Sequence, residues 1–147
     1  MSDLFISGYA SRFDEADLSG DIVRRGAFSA ALLARIDPFP MLFGHKTNSP
    51  IGVWDRVVED EQGLFVAGRI LDDTDSSRRL VATRAVSGLS IGYRTKRSVP
   101  RTGGGRILTE IDLWEVSVVA FPMLRSARIT QIGDPSETDA PHTRRTA

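Results

Sequence analysis

Apolar residues recur along this chain at two different periods. Period two dominates. Leu4–Ser11 (LFISGYAS), Met41–His45 (MLFGH), Ile51–Asp60 (IGVWDRVVED) and Gly63–Leu71 (GLFVAGRIL) are rich in β-branched and aromatic residues in the manner of half-buried strands. The middle pair meets at Glu61-Gln62-Gly63, which predicts a hairpin. Leu89–Thr95 (LSIGYRT), Arg106–Asp112 (RILTEID) and Leu113–Phe121 (LWEVSVVAF) raise the total to about seven strands, a number suited to a small barrel or sandwich. The helical period appears twice. Ala27–Ile36 places Phe28, Leu32 and Ile36 on one face and stops at Asp37-Pro38. Ser76–Val86 has Thr74 or Asp75 as cap and Gly88 as a left-handed C-terminal residue.

Between these elements Ser98–Arg106 (SVPRTGGGR) reads as a flexible loop. Residues 1–132 form one domain, and residues 133–147 read as a disordered tail with the cleavable character of an exposed terminus. The length of 147 residues, with 41% hydrophobic and 26% charged, suits a single packed domain. No apolar run approaches the ~20 residues of a spanning helix, and MSDLFISGYA lacks a basic n-region, so neither a membrane segment nor Sec export is expected. Nineteen basic and nineteen acidic residues cancel, which removes the broad positive field of a nucleic-acid binder.

Absent residue types narrow the chemistry further. Without cysteine there is no disulfide, thiol catalysis or thiolate zinc site. Of two histidines, His142 falls in the tail, so His45 is the candidate for imidazole chemistry, and FGHKTNSP offers it no nearby carboxylate for a metal site. No metal and no cofactor is expected. Asp14, Glu15, Asp17 and Asp21 (SRFDEADLSGDIV) miss the sixth-position glycine and twelfth-position glutamate of a calcium loop, so a solvated turn leading into Ile22-Val23 is the better reading.

Gly88–Tyr93 (GLSIGY) contains G-x-S-x-G around Ser90. In α/β-hydrolases that motif turns from strand to helix, whereas here it follows a helix and opens a strand, so the motif alone favours a serine packed between two glycines. His45, where MLFGH gives way to a polar loop, has a pKa range suited to a general base but, taken without Ser90 and Glu115, reads better as a surface histidine. Strand alternation places Leu113, Glu115, Ser117 and Val119 on one face, and Trp114, Val116, Val118 and Ala120 on a core face. Glu115 could orient an imidazole or be simply solvated, with Asp112 and Glu110 as competing carboxylates. Ser90, Gly92 and Arg94 form the polar side of their strand, a shallow floor for an extended peptide. Phe39, Phe43, Trp54 and Trp114 read as core.

Taken together, GYASRFDEADLSGDIVRRGAF, FPMLFGHKTNSPIGVW, GLSIGYR and DLWEVSVVAFPM resemble the prohead proteases of tailed bacteriophages, serine peptidases that mature capsids. The blocks occur in the family's order from Ile6 to about Ile129. The resemblance implies an α+β fold built on a mainly antiparallel β-barrel with a few flanking helices, similar to the herpesvirus assembly proteases. It implies His45 as base, Ser90 as nucleophile and Glu115 as third member, where the herpesvirus enzymes carry a second histidine. By the same comparison the oxyanion is held by the backbone of Met123 and Leu124 supported by Arg125, residues that otherwise read as a strand exit and a solvated charge. The implied substrates are the scaffold region of a major capsid protein, or a separate scaffold protein, and the chain's own tail. The implied setting is the immature prohead in the bacterial cytoplasm, with homodimer formation left open and neither nucleic acid nor membrane as partner. The alternative is a non-catalytic assembly or scaffold-binding module on the same fold.

Overall fold

The computed structural model describes residues 3–71 and 75–133. In chain order the elements are β1 (Leu4–Arg12), β2 (Ile22–Val23), α1 (Ser29–Ala34), β3 (Phe39–Phe43), β4 (Pro50–Glu59), β5 (Gly63–Ile70), α2 (Asp75–Ala82), β6 (Gly88–Pro100), β7 (Arg106–Val119) and β8 (Ile129–Gly133). The strands form one eight-stranded sheet, ordered β2-β7-β3-β4-β5-β1-β8, with β6 on the other flank of β7.

The chain is mostly strand, as expected, but β8 lies outside the expected segments and the pairing differs. The sheet is mixed, because β2 and β3 both run parallel to β7, beside its beginning and its end respectively. It is also not closed into a barrel. The two outer strands, β6 and β8, approach only at the isolated bridge Gly88↔Arg128, where Leu89 N–H donates to the Ala127 carbonyl at 2.9 Å and Ile129 N–H to the Ser87 carbonyl at 2.8 Å. The antiparallel barrel of about seven strands is therefore corrected to an open mixed sheet of eight.

The β4–β5 hairpin forms where the sequence places it, because Asp60 Oδ1 accepts from the N–H groups of Gln62 and Gly63 at 2.8 and 3.1 Å. Other boundaries move. The expected loop Ser98–Arg106 shrinks to a turn beyond Pro100, since β6 and β7 pair from Gly88↔Val119 to Pro100↔Arg106. Arg106–Asp112 and Leu113–Phe121, expected as two strands, are the single strand β7. α1 is six residues long rather than Ala27–Ile36. Phe28 is buried at its N-terminus, but the chain is already extended at Arg35, so Ile36 is 95% exposed instead of continuing the apolar face. α2 ends at Ala82, and the left-handed residue after it is Arg84 (φ 63°), not Gly88. Thr74, one of the two expected caps, lies outside the described residues, as do His142 and 134–147 of the expected tail; Asp75, the other, is the first residue of α2, and Gly133 ends β8.

The larger of two apolar clusters among the described residues holds the sheet together, the smaller being Tyr9, Phe65 and Ala67 with Val58. Ile6, Phe28, Met41, Trp54, Leu64, Leu89 and Leu108 pack in the larger with Ile111, Leu113, Val116 and Val118 of β7. The β7 members do not keep a single period-two phase. Gly92 pairs with Glu115 but Tyr93 pairs with Leu113, so Trp114 is an extra, bulged residue. The bulge resets the alternation, as a one-residue slip must. Ile111 and Leu113 point inward before it, Val116 and Val118 after it. Trp114 is thereby expelled, 56% exposed, its indole N–H donating to Asp112 Oδ2 at 3.0 Å. It is not a core residue. The buried tryptophan is Trp54, whose indole N–H reaches the Val116 carbonyl at 3.1 Å and ties β4 to β7.

Candidate active site

The C-terminal half of β7 lies between β6 and β3, so residues from both neighbours converge on it. Ser90 of β6 is directly opposite Ser117, and Gly92 is opposite Glu115. On the other side Leu42 is level with Ser117. Two residues beyond β3 the chain must turn away. Gly44 and His45 both adopt left-handed backbone angles, φ 64° and 62°. For a histidine that conformation costs about 1 kcal/mol or more. It is held by Gly44 N–H donating to the Val118 carbonyl at 2.9 Å and His45 N–H donating to Ser117 Oγ at 3.0 Å.

Turned in this way, the His45 ring meets Glu115: Nδ1 is hydrogen-bonded to Oε2. A carboxylate can only accept, so Nδ1 carries the proton and Nε2 is left with a free lone pair. The other oxygen, Oε1, accepts from Ser117 Oγ–H at 2.7 Å. The Glu115 side chain is 13% exposed and that of His45 42%. The hydrogen bond from Glu115 raises the His45 pKa above its ordinary value of 6.5, burial works against it, and the carboxylate charge adds to the rise.

Both glycines of GLSIGY have packing reasons. A Cβ on Gly92 would lie 2.1 Å from Glu115 Oε2, so the carboxylate can occupy this position only because its cross-strand neighbour has no side chain. A Cβ on Gly88 would lie 2.7 Å from Pro122 Cδ and from the Val119 carbonyl. That close approach lets the segment after β7 fold back beside the start of β6, two residues from Ser90. The glycines thus seat a carboxylate and a loop rather than forming a strained nucleophile elbow.

Ser90 is 7% exposed, and among the described residues its side chain makes no hydrogen bond, to His45 or to any other group. It lines a pocket of about 90 Å³ with Tyr93 on its own strand, Met123 and Leu124 of the returning segment, and Asp17 and Asp21 at the far side. Among the described residues the N–H groups of Met123, Leu124 and Arg125 donate to nothing, while the Met123 and Leu124 carbonyls accept from Leu18 and Ala127 at 2.9 and 3.0 Å. Arg125 faces a neighbouring groove with Glu15 and Ser126 instead of the Ser90 pocket.

The acidic stretch of residues 14–21 is used internally. Asp17 Oδ1 accepts from Ser19 N–H and Asp21 N–H at 2.8 and 3.0 Å, and Asp21 pairs with Arg106 at 2.8 Å. The bond to Arg106 holds the Asp21 carboxyl below its ordinary pKa against the opposing effect of burial. Tyr93 is pushed up by burial and by the charges of Asp17 and Asp21, with Arg106 opposing. No group of three or more candidate metal ligands occurs among the described residues, and no described helix is long and apolar enough to cross a membrane.

The competing carboxylates are engaged elsewhere. Asp112 faces Arg94 at 3.7 Å, and Glu110 faces Arg97 at 3.2 Å and Lys96 at 3.7 Å. Ser117 is the residue the sequence reading passed over. Its place on the Glu115 face is visible from alternation, but its bond from the His45 N–H depends on the turn that follows β3.

Known proteins resemble this chain in sequence and in fold. The prohead protease of Enterobacteria phage HK97 is 37% identical over 131 residues, covering 83% of this chain and 57% of that protein. The capsid polyprotein of Pseudomonas phage PAJU2 is 28% identical over 106 residues, covering 65% of this chain and 16% of that protein. The chain thus spans little more than half of the first relative and a small part of the second. The fold resembles that of KSHV protease, solved with a hexapeptide phosphonate inhibitor (TM-score 0.63, 18% identity, 91% of this chain and 66% of that one). It equally resembles the capsid assembly protease of bacteriophage T4 (TM-score 0.63, 11% identity, 80% of this chain and 81% of that one). The family model described as caudovirus prohead serine protease matches residues 2–142, and the chain belongs to that family.

Proposed function

We propose that this chain is a serine endopeptidase that cuts scaffold segments of capsid proteins, and itself, during prohead maturation, with Ser90, His45 and Glu115 as its catalytic residues. The observation that carries the reading is the His45–Glu115 pair, formed opposite Gly92 of the strand that bears Ser90. Family membership and the fold support the reaction class.

The chemistry follows from the hydrogen-bond directions. With a peptide carbonyl over Ser90, Nε2 takes the hydroxyl proton as Oγ attacks the carbon, and Glu115 stabilises the imidazolium that forms. The charge on the carbonyl oxygen is met by the unengaged N–H groups of Met123 and Leu124. His45 then gives its proton to the leaving amine, an acyl-Ser90 ester remains, and water repeats the sequence to release the acid. Ser90 and His45 need not be bonded beforehand, because such bonds commonly tighten only when substrate is bound. The pocket beside Ser90 is the place for a substrate side chain next to the scissile bond. Substrate and capsid partners are part of the proposal, since the chain spans little more than half of its phage HK97 relative.

The test is co-expression with a major capsid protein bearing its scaffold segment, read by intact mass spectrometry. New fragments with the wild type and none with Ser90→Ala support the peptidase. Identical masses in both, with assembly still dependent on the chain, would replace it by a non-catalytic assembly module.

A further inference from the structure

Ser117 is wholly buried, and its hydroxyl is committed in both directions. It donates to Glu115 Oε1 at 2.7 Å and accepts from the His45 backbone N–H at 3.0 Å. The directions are not interchangeable. Glu115 carries no proton to give while it accepts from His45 Nδ1, and a backbone N–H can only donate, so the single Ser117 hydrogen must point at Glu115. Ser117 is also the cross-strand neighbour of Ser90. One residue therefore touches the other two members of the triad by side chain and the nucleophile by strand pairing.

We infer that Ser117 is a positioning residue that fixes the His45–Glu115 pair in its catalytic arrangement. Two degrees of freedom need fixing. The Glu115 carboxylate could rotate about its last bond, and the bond to Oε1 stops it with Oε2 facing Nδ1. The His45 backbone, in a left-handed conformation that costs energy, could relax and swing the ring away, and the bond from its N–H holds it. Because Ser117 itself is wholly buried, neither bond is readily replaced by water. Any residue without a side-chain hydroxyl at 117 would leave both partners unpaired together.

This inference rests on the peptidase reading only for its kinetic arm. The test uses the full chain and compares wild type with Ser117→Ala and with the pair Ser117→Thr and Ser117→Val, which match in shape and differ by the hydroxyl. The His45 ring is titrated by NMR, its resonances assigned by comparison with His45→Gln. In the wild type it titrates above 6.5; in Ser117→Ala and Ser117→Val it falls toward 6.5, and any low-field Nδ1–H signal broadens or vanishes. Turnover of a capsid scaffold peptide falls about 10- to 100-fold with KM changed less than about twofold, a fraction of the whole contribution of a general base. Ser117→Thr retains both properties. A wild-type titration and turnover in Ser117→Ala or Ser117→Val would overturn the inference, and so would a lowered melting temperature with neither change, the mark of a purely structural hydroxyl. Failure of wild type to cleave peptide or react with a fluorophosphonate would count against the peptidase, while the NMR titration would still decide the role of Ser117.

Discussion

The β6–β7 ribbon presents carboxylates at two places, and they behave differently. Toward its turn, Glu110 and Asp112 stand opposite Arg97 and Arg94 in exposed cross-strand ion pairs. At the other end Glu115 stands opposite Gly92, with no basic side chain across from it, and receives His45 and Ser117 from within the fold. The bulge at Trp114 separates the two regions. A carboxylate screened by water and faced by a mobile arginine contributes little, whereas one that is largely buried and bonded at both oxygens has a fixed direction. Identity of residue did not distinguish these groups; what stands across the sheet did.

The sharpest way to break this contrast is at Ser90. Ser90→Ala should lower cleavage by about 10³-fold or more with thermal stability preserved, measured as scaffold fragment yield, because the proposed nucleophile is removed without opening the core. Glu115→Gln should lower turnover by about 10²- to 10⁴-fold, while Asp112→Asn and Glu110→Gln change it less than about twofold. Equal losses in all three would remove the distinction between the two regions.

Gly92→Ala tests the same contrast from the opposite strand. Its methyl must displace the Glu115 carboxylate, so turnover should fall about 10-fold or more, with a stability loss of about 1–3 kcal/mol in urea unfolding. Adding a methyl to a strand would otherwise be close to harmless.

The pH profile sharpens the comparison without mutation. On the proposed mechanism His45 acts as a neutral base, and its bond to Glu115 raises its pKa, so the acid limb of kcat/KM should lie above 6.5 and move down in Glu115→Gln. The effect on stability has the opposite sense. The folded chain holds the His45 proton more tightly than the unfolded one, so this contribution is complete below about 6.5 and disappears as pH rises through the raised folded value. The smallest effect is expected at the exposed end, where Arg94→Ala should change stability by about 0.5 kcal/mol or less and leave turnover unaltered.

Much of the candidate site is legible in the sequence. A chain without cysteine and with one histidine outside the tail leaves little choice of base, and Gly88–Tyr93 with Leu113–Phe121 points to Ser90 and Glu115 through family resemblance. Alternation also put Glu115 and Ser117 on one face. Trp114 was misplaced because a bulge has no local signature in LWEVS: period two was extended through a residue that the pairing with β6 leaves out.

By itself the sequence determined strand content, the β4–β5 hairpin and the types of residue available for chemistry, since alternation, turn residues and composition act locally. Tertiary structure decided which strands pair, that β2 and β3 lie parallel to β7, that the sheet stays open, and that Glu115 rather than Asp112 or Glu110 meets His45. Those outcomes depend on contacts between residues about 70 positions apart, as His45 and Glu115 are. Such contacts are fixed by packing around a shared interior and by close approaches at Gly88 and Gly92, which no local pattern encodes.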